Sequence, residues 1–383
     1  MQIQWHHSIA DVDPEEWNAL AATTPTPILN HEWLLHLEQS GSICADTGWE
    51  PRHLTVRDAS GMVAAVPLYR RDQSWGEFVF DFAFADVAEQ IQVPYYPKLV
   101  GMSPATPSTA FAPLVRPGRE EELTAVIMDA VVRRCRDEGI SVLQFNYVLP
   151  RWRGRLERHG MTAWEHQSFQ WSNDDFATFD DYLAQFRKGQ RRNIRRERAS
   201  LEHQGLTTAV VPGDQAPELF YQRMGEYYRR TNRQFGPWGA EFLTSAFFSR
   251  MPPEVRRHIW FAAAFTAEEP EDPVALALLV RREDHLLGRY WGARETIRDL
   301  HFNLCYYLPM EWSIAEGIRL FDPGMGSEHK VRRGFRSVPA LSMHRFFDPQ
   351  MDAILRANMP RINRHEQAQM DMLNQAIPIR SPQ

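Results

Sequence analysis

Cysteine is scarce in this chain: three in 383 residues, Cys44, Cys135 and Cys305, with no CxxC pair. An odd, scattered set does not build a disulfide framework and fits a reducing compartment. The fourteen histidines include no HExxH motif and no Cys/His cluster at zinc spacing, so no metal is expected. No apolar run nears the roughly 20 residues that span a bilayer. The longest, Pro273 to Val280, has the length of a strand. The opening MQIQWHHSIADVD has no basic segment followed by an apolar one, so no signal peptide is read and a cytoplasmic location is expected.

What is present is a globular composition. Hydrophobic residues make up 43%, aromatics 12% and charged residues 24%, enough for a buried core in each of two domains. The expected division is 1–165 and 166–383. The formal charge of −6 conceals one basic segment, Arg187 to Arg198 (RKGQRRNIRRER), with seven cations against one acid. An acidic chain with one concentrated basic stretch suggests a local anion site rather than general nucleic-acid binding. The alternative is a solvated helix face paired with acids elsewhere.

The first half reads as a strand at Ile3–His7, helices from Asp13 and from Asn30 to Gln39, and strands His53–Arg57 and Met62–Arg70. Phe78–Tyr96 is aromatic and left unassigned, and Ser103–Pro117 reads as a long surface loop. A helix from Glu120 to Glu138 and a strand Ile140–Asn146 follow. The second half repeats this plan in outline. A basic helix Phe179–His203 ends at Gly205. Then come strand Leu206–Val211, a helix from Gln215 to Thr231, and strands His258–Phe265, Val274–Arg281 and His285–Trp291. A helix His301–Glu316, a short strand at Leu320 and a last strand Val338–Phe347 close the chain. That order predicts a mixed α/β fold of two tandem acyltransferase domains of the GNAT type.

The densest chemistry lies in Arg319–Phe335, RLFDPGMGSEHKVRRGF. Gly324 and Gly326 permit turn conformations and close backbone approach, just ahead of a carboxylate, an imidazole and an ammonium. Glu328 and His329 are candidate bases. Lys330, Arg332 and Arg333 are candidate phosphate or carboxylate ligands, with Asp322 beside them. The competing reading is a solvated loop with a local Glu328–Lys330 pair. Arg191 and Arg195 share a helix face suited to phosphate. Tyr290 and Trp291 end a central strand, where they serve either core or site. His301 opens the next helix, whose stripe of Asn303, Tyr306, Tyr307 and Met310 serves either as core or, through Tyr306 or Tyr307, as a source of a proton donor. Asp81, Asp86, Tyr95 and Lys98 are secondary candidates for acceptor binding in the first half.

Several segments resemble the FemAB-like family of peptidoglycan biosynthesis/recognition proteins: GEFVFDFAFAD (Gly76–Asp86), YYPKL (Tyr95–Leu99), RRNIRRERASLEHQGL (Arg191–Leu206), RYWGA (Arg289–Ala293), HFNLCYY (His301–Tyr307) and PGMGSEHKVRRGF (Pro323–Phe335). The basic helix, at Arg191 to Arg196, and the turn KVRRGF, Lys330 to Phe335, are also similar to the Fem-type aminoacyl transferases. The resemblance implies tandem GNAT-type domains that move an acyl or aminoacyl group onto an amine of a small molecule or peptide. No tightly bound cofactor is implied, and aminoacyl-tRNA or acyl-CoA would be the co-substrate. A peptidoglycan-type precursor is the acceptor it suggests, with tRNA as a partner. The chain departs from the pattern in having GMSPATPSTAFAPL after YYPKL, and in lacking the Q/R-x-x-G-x-G/A loop that holds CoA pyrophosphate. Two rivals stay open: acyl-CoA-dependent N-acylation of a small amine, and non-catalytic recognition of a precursor or peptide.

Overall fold

The computed structural model describes residues 1–236, 239–326 and 328–380. They form two compact units: residues 1–167 with 339–368, and residues 168–338 with the C-terminal segment from 369. The stretch 339–368, expected in the C-terminal domain, therefore belongs to the first unit. Most of the long helix Pro349–Gln375 lies in that stretch, and this helix has no counterpart in the sequence reading.

The strands in chain order are β1 (Gln2–His6), β2 (Glu50–Pro51), β3 (His53–Asp58), β4 (Gly61–Val66), β5 (Leu68–Arg71), β6 (Lys98–Gly101), β7 (Leu114–Val115), β8 (Val142–Val148), β9 (Thr162–Ser172), β10 (Leu206–Pro212), β11 (Ile259–Thr266), β12 (Ala275–Arg282), β13 (His285–Ala293), β14 (Leu320–Asp322) and β15 (Arg336–Phe346). In the first unit β1, β3, β4 and β7 make a small sheet in that order. The rest of the unit's strands order as β9-β15-β8-β6-β5-β2, with β6 and β8 parallel. Met62–Arg70, read as one strand, is split at Pro67, which has no N–H to continue a ladder. The expected surface loop Ser103–Pro117 is instead buried from Ser103 to Val115, apart from half-buried Thr109. Phe111 packs on Phe145 at 5.3 Å, and its backbone N–H bonds Tyr147. The unassigned aromatic stretch contains a helix, Phe82–Gln90.

In the second unit β10 to β13 form an antiparallel meander, and β14 joins β13 in parallel. The helix Glu218–Arg233 lies flush on β13, because Tyr227 backbone fills the space a side chain at Gly292 would need. The basic helix is not continuous from Phe179. It breaks into Phe179–Ala184 and Lys188–His203. At the break the backbone pairs with the C-terminal segment: Arg187 N–H donates to Pro378 O and Arg380 N–H to Gln185 O. Among the described residues, no helix is long and apolar enough to cross a membrane.

Candidate functional site

β13 and β14 pair over three residues only, His285–Leu287 with Leu320–Asp322. Beyond that point β13 continues against β12, while the chain after Asp322 turns away through Pro323 and Gly324. Gly324 has φ +74°, and its N–H donates to Asp322 Oδ1 at 2.8 Å. A register slip sets Leu278 opposite Tyr290 and Leu279 opposite Gly288, so Arg289 is the extra residue of a bulge. The bulge breaks strand alternation: Arg289 and Tyr290, neighbours that a regular strand sends to opposite faces, lie together, with the guanidinium 4.9 Å over the ring. A cavity of about 140 Å³ opens at this divergence, lined by Leu278, Gly288, Tyr290, Trp291, His301, Cys305, Tyr306, Pro323 and Met325.

The opposite wall comes from the helix after Asp299. It is helical over Leu300–Phe302, widens into a π turn over Asn303–Tyr307, and becomes α-helical over Leu308–Ala315. Such widenings re-aim side chains and recur at functional sites. His301 sits edge-on to Trp291 at 4.8 Å. Burial, reinforced by His329, Lys330 and Arg333, lowers its pKa to about 3, so the ring is neutral. Tyr306, on the cavity wall, meets His329, which is not itself a lining residue, with Oη and Nε2 3.3 Å apart. Burial pushes the Tyr306 phenol up, and burial with Arg333 and Lys330 moves His329 down. A protonated phenol thus faces a neutral imidazole.

Lys330 is not presented to a ligand, contrary to expectation. Its side chain is buried, and Nζ donates to Gly324 O at 2.5 Å and Met325 O at 2.9 Å. A side chain at Gly326 would collide with that ammonium at 2.6 Å, so this glycine is what lets the loop close over it. Burial lowers Lys330 to about 8, against the pull of Asp322. Arg333 is likewise committed. It stacks 3.4 Å over Phe302, bonds His329 O, and pairs with Glu197 at 2.8 Å. Glu328 and Arg332 are exposed.

Glu197 escaped the sequence reading. It also accepts from Tyr307 Oη at 2.5 Å, while its carbonyl accepts from Asn303 Nδ2 at 2.8 Å. One residue thereby ties the basic helix to the π turn and to the Arg333 turn. The signal was available: Glu197 is the single acid in the basic run and shares a helix face with buried Ile194 and Leu201. Of the basic residues, Arg195 makes an exposed pair with Asp180, Arg198 pairs with Glu311, and Arg191 is half-buried. Lys188, Arg192 and Arg196 are exposed.

In the first unit, three of the four secondary candidates come together. Lys98 Nζ bonds Glu77 and Asp81, each at 2.7 Å, and Ser74 at 2.8 Å, and Tyr95 Oη donates to Asp81 at 2.6 Å. Burial alone would lower Lys98, but the two carboxylates outweigh it and the shift is upward. Asp86 stands apart, exposed on its helix.

A meander, a parallel strand that diverges from it, and a polar cavity in the fork define the GNAT class of acyltransferase fold, here in two tandem domains. Residues 8–381 match the FemAB-like model, described as peptidoglycan biosynthesis/recognition, and the chain belongs to that family. Its fold is similar to the C-terminal domain of a protein described as a lysylphosphatidylglycerol synthetase, from Agrobacterium fabrum (TM-score 0.56, 12% identity, 92% of this chain and 96% of that one). It is similar to FemX (0.54, 12%, 93% and 100%) and to L-PGS from Bacillus licheniformis (0.50, 12%, 96% and 98%). At such identities the likeness is one of fold. Comparison with curated protein sequences gives no significant match.

Proposed function

We propose that the second unit transfers an acyl group from an activated ester or thioester to an amine in the fork between β13 and β14. The observation that carries this reading is the three-residue pairing followed by divergence, with a bulge at Arg289 facing the gap. Backbone N–H groups freed from the ladder there can hold the oxyanion of a tetrahedral intermediate. The amine nitrogen attacks the carbonyl carbon and gives up a proton to neutral His329. The C–N bond forms, the bond to the leaving sulfur or oxygen breaks, and the leaving atom takes a proton from the Tyr306 hydroxyl. His329 then returns the amine's proton to the phenolate, closing the balance. Lys330 and Arg333 hold the loop and the turn that carry His329, so they are positioning residues in this scheme.

The exposed cations of the basic helix, Lys188, Arg192 and Arg196, with half-buried Arg191, suit a donor or acceptor bearing phosphates. Aminoacyl-tRNA and a diphosphate-linked peptidoglycan-type precursor both answer that description. One observation favours acyl-CoA as donor: the described residues that line the cavity include no carboxylate to receive the α-ammonium of an aminoacyl group. A thermal-shift panel separates them, since a ligand of the native state raises the melting temperature by mass action. Stabilisation by aminoacyl-tRNA or by a nucleotide-linked precursor supports the Fem-type activity. Stabilisation by acyl-CoA alone makes the chain a small-amine acyltransferase. No shift with any donor, and no transfer by the folded protein, contradicts the reading.

A further inference from the structure

A second accumulation of cations lies in the first unit, and acyl transfer makes no use of it. The helix Glu120–Asp137 buries one face, with Ile127, Val131 and Cys135 in the core. Asp129, Arg133 and Arg136 follow one another at helical spacing and share its exposed face. Arg345 joins them from β15, and His159 from the turn after the short helix Arg153–Arg158. These five residues surround a cleft of about 320 Å³, and the buried side chains of Met128 and Val132 complete its lining.

Neighbouring arginines are matched by acids. Arg134 pairs with Glu138, Arg153 with Glu157 and Glu165, and Arg155 and Arg158 share Glu121. Around the cleft they are not. Among the described residues, Arg133, Arg136 and Arg345 have no acid within ion-pair distance. Asp129 does not pair with Arg133, although it stands one turn ahead, the favourable order for such a pair. Arg345 is half-buried and fixed. Its Nη1 donates to His159 O at 2.9 Å, and a Cβ at Gly160 would lie 3.3 Å from it. Arg356, paired with Asp352, donates to Gly160 O at 2.6 Å, so two arginines clamp the turn that carries His159. A cation already held in place loses little freedom on binding a ligand, and the two exposed arginines have side chains long enough to close over it.

The charge selects the ligand. Three guanidiniums less one carboxylate leave the lining at +2, with histidine counted as neutral. A single carboxylate would leave half of that unbalanced. A phosphate monoester carries about −1.5 to −2 at pH 7 and has three terminal oxygens, one for each guanidinium. The volume lies at the small end of ligand pockets, which suits a phosphate on a short carbon chain or a single sugar. We infer that the first unit binds a small phosphate monoester in this cleft, seated on Arg345 and covered by Arg133 and Arg136. Nothing in this inference depends on acyl transfer in the second unit.

The test is calorimetric titration of the full chain at low salt with glycerol 3-phosphate and glucose 6-phosphate, with acetate and glycerol as controls. The expected result is saturable binding of one or both esters, competed by inorganic phosphate, and none of either control. Arg133→Gln with Arg136→Gln, at two exposed positions, should weaken that binding by roughly tenfold or more at an unchanged melting temperature. Arg345→Gln should weaken it as well, and the exposed pair decides alone if that variant fails to fold. Arg192→Glu with Arg196→Glu, in the basic helix of the second unit, should leave it unchanged. Absence of saturable binding by either ester overturns the proposal. So does equal affinity in the wild type and the Arg133/Arg136 variant, or binding that is lost in the basic-helix variant instead.

Discussion

Lys330 is the residue where chemistry and stability meet. Its ammonium is buried beneath the glycine loop, with its pKa lowered from 10.5 to about 8. The native state therefore releases this proton before the unfolded chain does, and stability contributed by the site rises as pH climbs from 8 to 10.5. Below pH 8 both states are protonated and the full penalty of burying the charge applies. Relative to Lys330→Met, the wild type should gain about 3 kcal/mol over that window, an order-of-magnitude figure from the size of the shift. Urea denaturation of both proteins at either end of the window measures it. The neighbouring His329 is depressed, chiefly by burial. If its neutral form is the base, kcat at saturating amine should fall in acid at a midpoint below 6.5. A limb at 7 or higher that does not move when the acceptor is exchanged for an amine of different basicity would assign the base elsewhere.

At the level of elements, Glu197 is the joint that holds the site together. Glu197→Gln leaves the Arg333 guanidinium buried without its counter-ion, which should cost about 3 kcal/mol. It should also lower kcat more than it changes KM, because the variant loosens the turn carrying His329. Thermal denaturation and steady-state kinetics report these separately. An unchanged melting temperature would show that the joint is not structural. Much of the fold was legible in the sequence because local rules set it. The helix read from Asp13 begins there, with Asp13 accepting from the Glu16 N–H as its cap, and the strands of the second unit's meander fall within two residues of their expected limits. Gly334 in the turn from Lys330 to Phe335 has φ +82°, and a side chain there would strike Tyr182 and Phe186. What stayed hidden was tertiary. The break after Ala184 exists because the C-terminal segment pairs there, and the π turn because Glu197 and Asp299 hold Asn303.

For the whole molecule, the unequal distribution of charge sets how a partner is met. The chain is acidic overall, and a dense run of cations lies in the helix Lys188–His203, where Lys188, Arg192 and Arg196 stand exposed. Replacing Arg192 and Arg196 with Glu should weaken binding of a phosphate-rich donor and flatten its salt dependence, with little change in melting temperature. Binding titrations at two ionic strengths test this, since each phosphate that goes unneutralised reduces the salt slope by roughly 0.7 to 0.9. The likeness to FemX and to L-PGS is one of fold, so the proposed reaction rests on the geometry of the fork in the second unit. The decisive measurement is acyl transfer itself: labelled acyl-CoA and labelled aminoacyl-tRNA, each offered with a panel of amine acceptors to wild type, Tyr306→Phe and His329→Ala. The account predicts an acylated amine with one donor class and a loss of roughly 100-fold or more in kcat for each variant, at unchanged fold. Equal rates in all three proteins, or no product from a folded wild type that binds the donor, would contradict it.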